Sequence, residues 1–114
     1  MKFSESLKIN RDFQHVYKNG RSHANRYLVM YELDNGLDKN RLGISVSKKV
    51  GNSIVRHRLT RLIRESYRLN EELFPCGKDI VVIARVAAKG RSCREIESAL
   101  LHLGRLHKMI QINQ

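Results

Sequence analysis

Tryptophan is absent from this 114-residue chain, proline occurs once and cysteine occurs twice. Cys76 and Cys93 stand alone, without the Cys-x-x-Cys spacing of a redox or zinc motif, so we expect two free thiols in a reducing compartment. No apolar run approaches the roughly 18–20 residues that a membrane span needs. The first residues also lack the apolar segment of a signal peptide. These absences predict a cytoplasmic protein with no membrane partner.

Acidic residues are scarce, with 11 Asp and Glu against 22 Lys and Arg, which gives a formal net charge of +11. Such a surplus predicts a polyanionic partner, either a nucleic acid or an anionic membrane surface, and favours the nucleic acid. The acids are scattered, whereas a nuclease acting alone needs clustered carboxylates for its metal ions. None of the five His pairs with a carboxylate or Cys at ligand spacing. We therefore expect no catalytic residue, no metal site and no protein-bound cofactor.

The remaining composition, with 41% hydrophobic residues, predicts one globular domain over residues 1–114. Apolar periodicity and turn residues indicate three helices and at least three strands. The helices are expected at 10–19, at 53–69 and after Ser92, and the strands at 26–34, 41–47 and 79–86. Asn10 is a candidate N-cap and Gly20 a candidate left-handed terminator of the first helix. Ser92 and Glu95 form a capping box for the third helix.

The helix over 53–69 has two contrasting sides at 100° per residue. One side is apolar, and the other gathers His57, Arg61, Arg64 and Arg68, with Arg56 and Arg58 on its flanks. Like charges three or four residues apart cost a few tenths of a kcal/mol each, and Glu65 is the only acid in the helix. A solvated face would mix signs, so this face predicts anion binding. Lys48 and Lys49 precede the helix and extend the basic segment.

The type of nucleic acid is less constrained by these residues. An α-helix fits the major groove of DNA but not the deep groove of A-form RNA. Phe13, Tyr17 and Tyr31 could stack on bases of single-stranded RNA, although core packing explains each of them equally well. The alternation in 41–47 leaves one face of the sheet open to solvent or a ligand, which also favours RNA.

The segment 41–65, RLGISVSKKVGNSIVRHRLTRLIRE, resembles the protein subunit of bacterial ribonuclease P. That family carries a strand ending in Ser-Val-Ser-Lys-Lys, a Gly-Asn turn and then an arginine-rich "RNR" helix. The resemblance extends in the same order to residues 12–20, 24–26 and 79–85. Two residues depart from the pattern: His57 replaces the usual Asn of the motif, and Thr60 replaces a common Lys.

The resemblance implies an α+β fold: a single-domain two-layer sandwich with a mixed sheet, three helices and a left-handed βαβ crossover. Without the resemblance, the common right-handed form would be predicted. It also implies that the catalyst is an RNA subunit, which uses Mg²⁺ to remove the 5′ leader from precursor tRNA. The partners would be that catalytic RNA and precursor tRNA, with no obligate protein partner.

The site residues implied by the resemblance form two groups. The catalytic RNA would bind Lys48, Lys49, Arg56, His57, Arg58, Arg61, Arg64 and Arg68. The single-stranded leader would lie between the first helix and the sheet, against Phe13, Tyr17, Tyr31, Ser45 and Ser47 with Lys49, and near Asn25 and Arg26. Two other functions remain open from the residues: a structural RNA-binding protein such as a ribosomal protein, and a metal-dependent nuclease acting alone.

Overall fold

A computed structural model describes residues 1–111, which form a five-stranded sheet with three α-helices. The single domain expected over residues 1–114 is therefore described up to Gln111, and residues 112–114 lie outside the described part. In chain order the elements are β1 (Ser4–Ser6), α1 (Asn10–Asn19), β2 (Arg21–Ala24), β3 (Leu28–Asp34), β4 (Asn40–Ser45), α2 (Ser53–Leu69), β5 (Lys78–Ala84) and α3 (Cys93–Leu106). Two short 3₁₀ helices, Glu71–Leu73 and Val86–Ala88, complete the described elements.

The sheet is mixed, with the strand order β1-β4-β5-β3-β2. The β1–β4 and β4–β5 pairs are parallel, whereas β5–β3 and β3–β2 are antiparallel. Because β4 and β5 are parallel neighbours, α2 is the crossover helix of a βαβ unit. The mixed α+β architecture is as predicted, and the left-handed crossover stays a prediction from the family resemblance.

The three predicted strands are present with shifted ends. The strand expected at 26–34 begins at Leu28, the one at 41–47 ends at Ser45, and the one at 79–86 ends at Ala84. The two short strands β1 and β2 were not predicted. They have three and four residues and largely exposed side chains, so they show no apolar alternation to detect.

Helices cover both faces of the sheet. Against one face, α2 and α3 bury the main core, which includes Met30, Ile80 and Val82 of the strands. Against the other face, α1 buries Val16 over Val81. The sheet and the α2–α3 layer are the predicted two layers, and α1 adds a short third layer. No helix within residues 1–111 is long and apolar enough to cross a membrane.

All three helices begin where predicted, and α1 and α2 also end where predicted, but the capping residues of α1 differ from the prediction. The capping box of Ser92 and Glu95 is present. Asn10 is the first residue of α1 rather than its cap, because Ile9 occupies the cap position and its carbonyl accepts the first helical hydrogen bonds. Gly20 is extended, with φ −82°, rather than left-handed. A side chain there has no space: a Cβ would lie 2.6 Å from the carbonyl oxygen of Val16.

The N-terminal strand is held by a buried carboxylate. Glu71 accepts hydrogen bonds from the backbone N–H groups of Lys2, at 2.7 Å, and Phe3, at 3.0 Å. Burial opposes the charged form of Glu71, but these bonds and others from the first residues outweigh it and lower the pKa of this carboxyl group. The carboxylate therefore fixes the chain that leads into β1.

Glu71→Gln should lower the free energy of unfolding by about 1–3 kcal/mol, because an amide nitrogen cannot accept and leaves one of the two N–H groups unpaired. Urea unfolding at neutral pH measures this change. Glu72→Gln is the matched control, since the neighbouring side chain is exposed. Equal stability of the two variants would contradict the assigned role of Glu71.

Candidate nucleic-acid interface

The outer side of α2 is positioned by its buried side and by its N-cap. Leu59, Ile63 and Tyr67 are fully buried against the sheet, so the opposite side faces outward. The Asn52 side chain accepts a hydrogen bond from the N–H of Val55 at 3.0 Å, which fixes the first turn of α2. Leu69, the last residue of the helix, is 62% exposed.

The basic residues of this outer side differ in whether they have carboxylate partners. His57, Arg61 and Arg64 are exposed, and within residues 1–111 none of them forms an ion pair. Arg68 is different, because its guanidinium donates two hydrogen bonds to the carboxylate of Glu65. The uncompensated positive charge is therefore concentrated in the first three turns of the helix.

The two flanking arginines are partly turned inward. Arg58 donates from Nη2 to the carbonyl oxygen of Arg91 at 2.9 Å, which ties α2 to the loop before α3. Arg56 is partly buried. Thr60, where Lys is common, donates its hydroxyl to the carbonyl oxygen of Arg56 at 2.9 Å. The hydroxyl group of Thr60 therefore has its hydrogen-bond partner within the helix.

The turn before α2 carries Lys48 and Lys49, both exposed. It begins at Ser47, whose carbonyl oxygen accepts from the N–H of Val50 at 3.1 Å. Ser47 is therefore a turn residue beside the two lysines and not part of β4, which ends at Ser45.

A second surface lies on the other face of the sheet, where α1 crosses it. Phe13 packs directly on Gly43 of β4: a Cβ at this glycine would lie 2.7 Å from the ring. Tyr17 meets Tyr31 edge to face, with ring centroids 5.1 Å apart. Burial raises the pKa of Tyr17, so its hydroxyl remains protonated at neutral pH. The three aromatic residues predicted for this face therefore belong to one cluster.

Beside this cluster is an open cleft of about 380 Å³. Phe13 and Tyr17 line it together with Ser45 of β4. Four other lining residues were not predicted, namely Lys8, Asn10, Gln14 and Ile44. The helical period could have found Asn10 and Gln14, because both share the i, i+3, i+4, i+7 face with the two aromatics. Lys8 precedes the helix, and nothing in the periodicity marks it.

Asn25 and Arg26 lie away from this cleft. The Asn25 side chain points to α3, where its Nδ2 donates to the carbonyl oxygen of Ala99 at 2.9 Å and to Nδ1 of His102 at 3.1 Å. The guanidinium of Arg26 lies 5.6 Å from the ring centroid of Tyr27, which packs against the α2–α3 core. The structure therefore does not bring these two residues together with Phe13 and Tyr17.

No group of three or more His, Cys, Asp or Glu side chains in the described part of the chain is arranged to hold a metal ion. The buried acids have other partners. Asp79, 2% exposed, accepts two hydrogen bonds from Arg41 and one from Asn35. What the surface offers is therefore positive charge, aromatic faces and hydroxyl groups.

Comparison with known proteins gives consistent matches over nearly the full length of the chain. The family model described as Ribonuclease P matches residues 1–108. The ribonuclease P protein component of Lachnoclostridium phytofermentans is 61% identical, covering 97% of this chain and 96% of that protein. That of Alkaliphilus metalliredigens is 54% identical, covering 96% and 99%.

Solved structures agree with the sequence relatives. The RNase P protein of Staphylococcus aureus superposes with a TM-score of 0.86 at 42% identity, covering 93% of this chain and 97% of that one. The RNase P protein of Thermotoga maritima gives 0.80 at 37% identity, covering 88% and 96%. On these matches, the chain belongs to the ribonuclease P protein family, whose members work with an RNA component in processing the 5′ ends of tRNA.

Proposed function

We propose that this protein gives ribonuclease P two RNA contacts and that the RNA subunit carries out the cleavage. In this proposal the outer side of α2 binds the catalytic RNA, and the cleft beside α1 binds the single-stranded 5′ leader of precursor tRNA. The observation that carries it is the row of His57, Arg61 and Arg64, which are exposed without carboxylate partners within residues 1–111. The cytoplasm, where bacterial tRNA is made, is the expected location.

The α2 surface suits a folded RNA because the helix fixes the backbone positions of its charged residues. Arg61 and Arg64 project from a helix whose other side is buried, so the helix itself needs no further ordering on binding. The planar guanidinium group makes paired hydrogen bonds to phosphate oxygens and stacks on bases. His57 stands where the family usually has Asn, and its ring can also donate a hydrogen bond or stack. The turn with Lys48 and Lys49 extends the same field toward the end of β4.

The α1 cleft suits a single strand because it combines aromatic faces with polar groups. Phe13 and Tyr17 offer rings for base stacking, and Ser45 and Gln14 offer hydrogen-bond partners. Lys8 supplies a cation for a backbone phosphate at the same cleft. Stacking tolerates any base, so this site favours a leader without demanding one sequence.

The chemistry of cleavage is assigned to the RNA, with Mg²⁺ bound by that subunit. Metal-ion hydrolysis of RNA needs carboxylates free to coordinate the ions. Asp12 of α1 and Asp79 of β5 are engaged instead, since both face the guanidinium of Arg41. The protein then acts by positioning the substrate and neutralising phosphates, without an obligate protein partner.

The holoenzyme assay tests this division of labour. Purified protein, freed of RNA by nuclease treatment and repurified, is incubated with precursor tRNA and Mg²⁺, with and without catalytic RNA. We expect cleavage only when the RNA is present, and at lower Mg²⁺ when the protein is added. Cleavage by the protein alone would contradict the proposal. An RNA subunit unaffected by the protein would instead favour a purely structural RNA-binding role.

Arg61→Ala combined with Arg64→Ala should weaken binding to the catalytic RNA and flatten its salt dependence. The log–log slope should fall by about 0.7–0.9 for each phosphate that the variant no longer neutralises. Filter binding across a salt series measures both effects. Lys18→Ala combined with Lys39→Ala removes the same charge from other parts of the chain and serves as the control. An equal weakening in both double variants would indicate a general charge effect without a specific α2 interface.

Phe13→Ala should reduce the preference of the holoenzyme for precursor over mature tRNA by about fivefold or more, because one stacked base contributes about 1–3 kcal/mol. Competition between the two tRNA forms measures this preference. Ile9→Ala, which truncates an exposed apolar residue at the same end of α1, should change it little. If the α2 double variant reduced the preference in the same way, the separation into two RNA surfaces would be wrong.

A further inference from the structure

A groove of about 460 Å³ lies between the β2–β3 turn and α3, on the sheet face opposite to the α1 cleft. It is larger than the α1 cleft and falls within the range of about 300–1,000 Å³ that is common for ligand pockets. Neither the outer side of α2 nor the α1 cleft includes it. The residues that matter are Arg26 and Tyr27 on the turn, and Arg94, Ser98, Ala99 and His102 on α3.

The walls of this groove are held by internal hydrogen bonds. The Asn25 side chain accepts from the N–H groups of Tyr27, at 3.2 Å, and Leu28, at 3.0 Å, and its amide nitrogen donates to α3. Arg85 donates to the carbonyl oxygen of Asn25 at 2.7 Å. The turn is thus attached to α3 before any ligand arrives, and binding there requires little ordering of the protein.

The same network sets the hydrogen-bonding state of His102. The amide nitrogen of Asn25 can only donate, so Nδ1 of His102 accepts. The proton of the neutral ring therefore resides on Nε2. His102 lines the groove with a donor, and Ser98, one helical turn earlier, adds a hydroxyl that can donate or accept.

The groove carries uncompensated positive charge. Arg26 and Arg94 are exposed, and neither forms an ion pair within the described residues. Glu95, the acid that lines the groove, is engaged by its capping box with Ser92. Arg94 also lies in the first turn of α3, where the helix dipole disfavours a cation. As with the arginines on the outer side of α2, the stability of the helix itself does not account for an arginine at this position.

Aromatic and apolar surface lies between these charges. The ring of Tyr27 and the side chain of Ala99 line the groove, and the guanidinium groups of Arg26 and Arg91 lie 5.6 and 6.0 Å from the centroid of that ring. This lining matches one unstacked nucleotide. Its base can lie against the apolar surface, its base edge can meet the hydrogen-bonding groups, and its phosphates can bind the guanidinium groups. An acidic peptide would engage the arginines but would leave the Tyr27 surface unused.

We propose that this groove binds one unpaired nucleotide of RNA, as a third RNA contact of the protein. The base lies against Tyr27 and Ala99, Ser98 and His102 meet its edge, and Arg26 and Arg94 bind the adjoining phosphates. The inference rests on the proposed function for the presence of RNA. That RNA is either the catalytic RNA or precursor tRNA, since both offer the same chemistry.

Site-directed photocrosslinking in the holoenzyme tests this contact. In a Cys76→Ser, Cys93→Ser background, an aryl azide is attached to a single cysteine introduced as Ser98→Cys, Glu65→Cys or Asp38→Cys. Glu65 reports the α2 surface, and Asp38 is an exposed control between β3 and β4, at the other end of the sheet. One arm contains catalytic RNA alone, and the other adds precursor tRNA carrying a distinguishable label.

We expect the Ser98 label to crosslink to one or two unpaired nucleotides, more strongly than the Asp38 label. Crosslinks to the catalytic RNA in both arms would show that the nucleotide belongs to the catalytic RNA. Crosslinks only to the labelled tRNA would show that it belongs to precursor tRNA. If the Ser98 label reacts no more than the Asp38 label while the Glu65 label crosslinks, this inference fails and the proposed function stands. If neither the Ser98 label nor the Glu65 label crosslinks to RNA, both this inference and the proposed function are overturned.

Charge removal provides a second readout. In the Ser98→Cys background, Arg26→Ala with Arg94→Ala should reduce the crosslink yield by about fivefold or more, since phosphate contacts hold the nucleotide in place. Lys18→Ala with Lys39→Ala, which removes equal charge elsewhere, should leave the yield within about twofold. An unchanged yield in the arginine variant would contradict the proposed site.

Discussion

The ion pair between Arg41 of β4 and Asp79 of β5 is the contact on which the placement of the α2 surface and of the α1 cleft depends. The guanidinium donates to the two carboxylate oxygens at 2.8 and 2.6 Å, and Asp79 is 2% exposed. The two residues are partners in the parallel register, so the pair aligns the strands that α2 connects. The same guanidinium lies 3.5 Å from Asp12 of α1, which draws that helix across the opposite face. Because Arg41 is partly exposed, its removal should cost less than the about 3–5 kcal/mol of a fully buried pair, but it would leave the buried carboxylate of Asp79 without its main partner.

The fold separates basic residues that look alike in the sequence. Arg41 is used within the sheet, and Arg68 is neutralised by Glu65. Arg58 binds the loop before α3 through its guanidinium. Arg61 and Arg64 remain exposed without such partners in the described residues. A net charge of +11 therefore gives a general attraction for a polyanion, whereas in the proposed function the exposed arginines on the outer side of α2 determine where it is held.

Sequence patterns predicted the features that depend on local order. The bounds of α2 follow from its apolar period, and the start of α3 follows from the Ser92 capping box. Features that depend on tertiary contacts were missed. Glycine at position 20 suggested a left-handed turn. The structure instead explains the glycine by close packing, because a Cβ there would lie 2.9 Å from the carbonyl oxygen of Glu32 of β3. Asn25 matched a family motif near the leader region, yet its side chain is used to attach the β2–β3 turn to α3.

The α1 cleft, the turn into α2 and the groove beside α3 lie near one end of the sheet, and the register explains why. Ser45, the last residue of β4, pairs with Ile83, and Leu28, the first residue of β3, pairs with the next residue, Ala84. The turn into α2, the open side of the α1 cleft and the β2–β3 turn therefore emerge together. Ligands of open α/β sheets bind at the carboxyl ends of parallel strands, where loops on both faces can meet. Here the parallel pair β4–β5 ends at that place, so α1 on one face and α2 and α3 on the other can contact RNA arriving from one side.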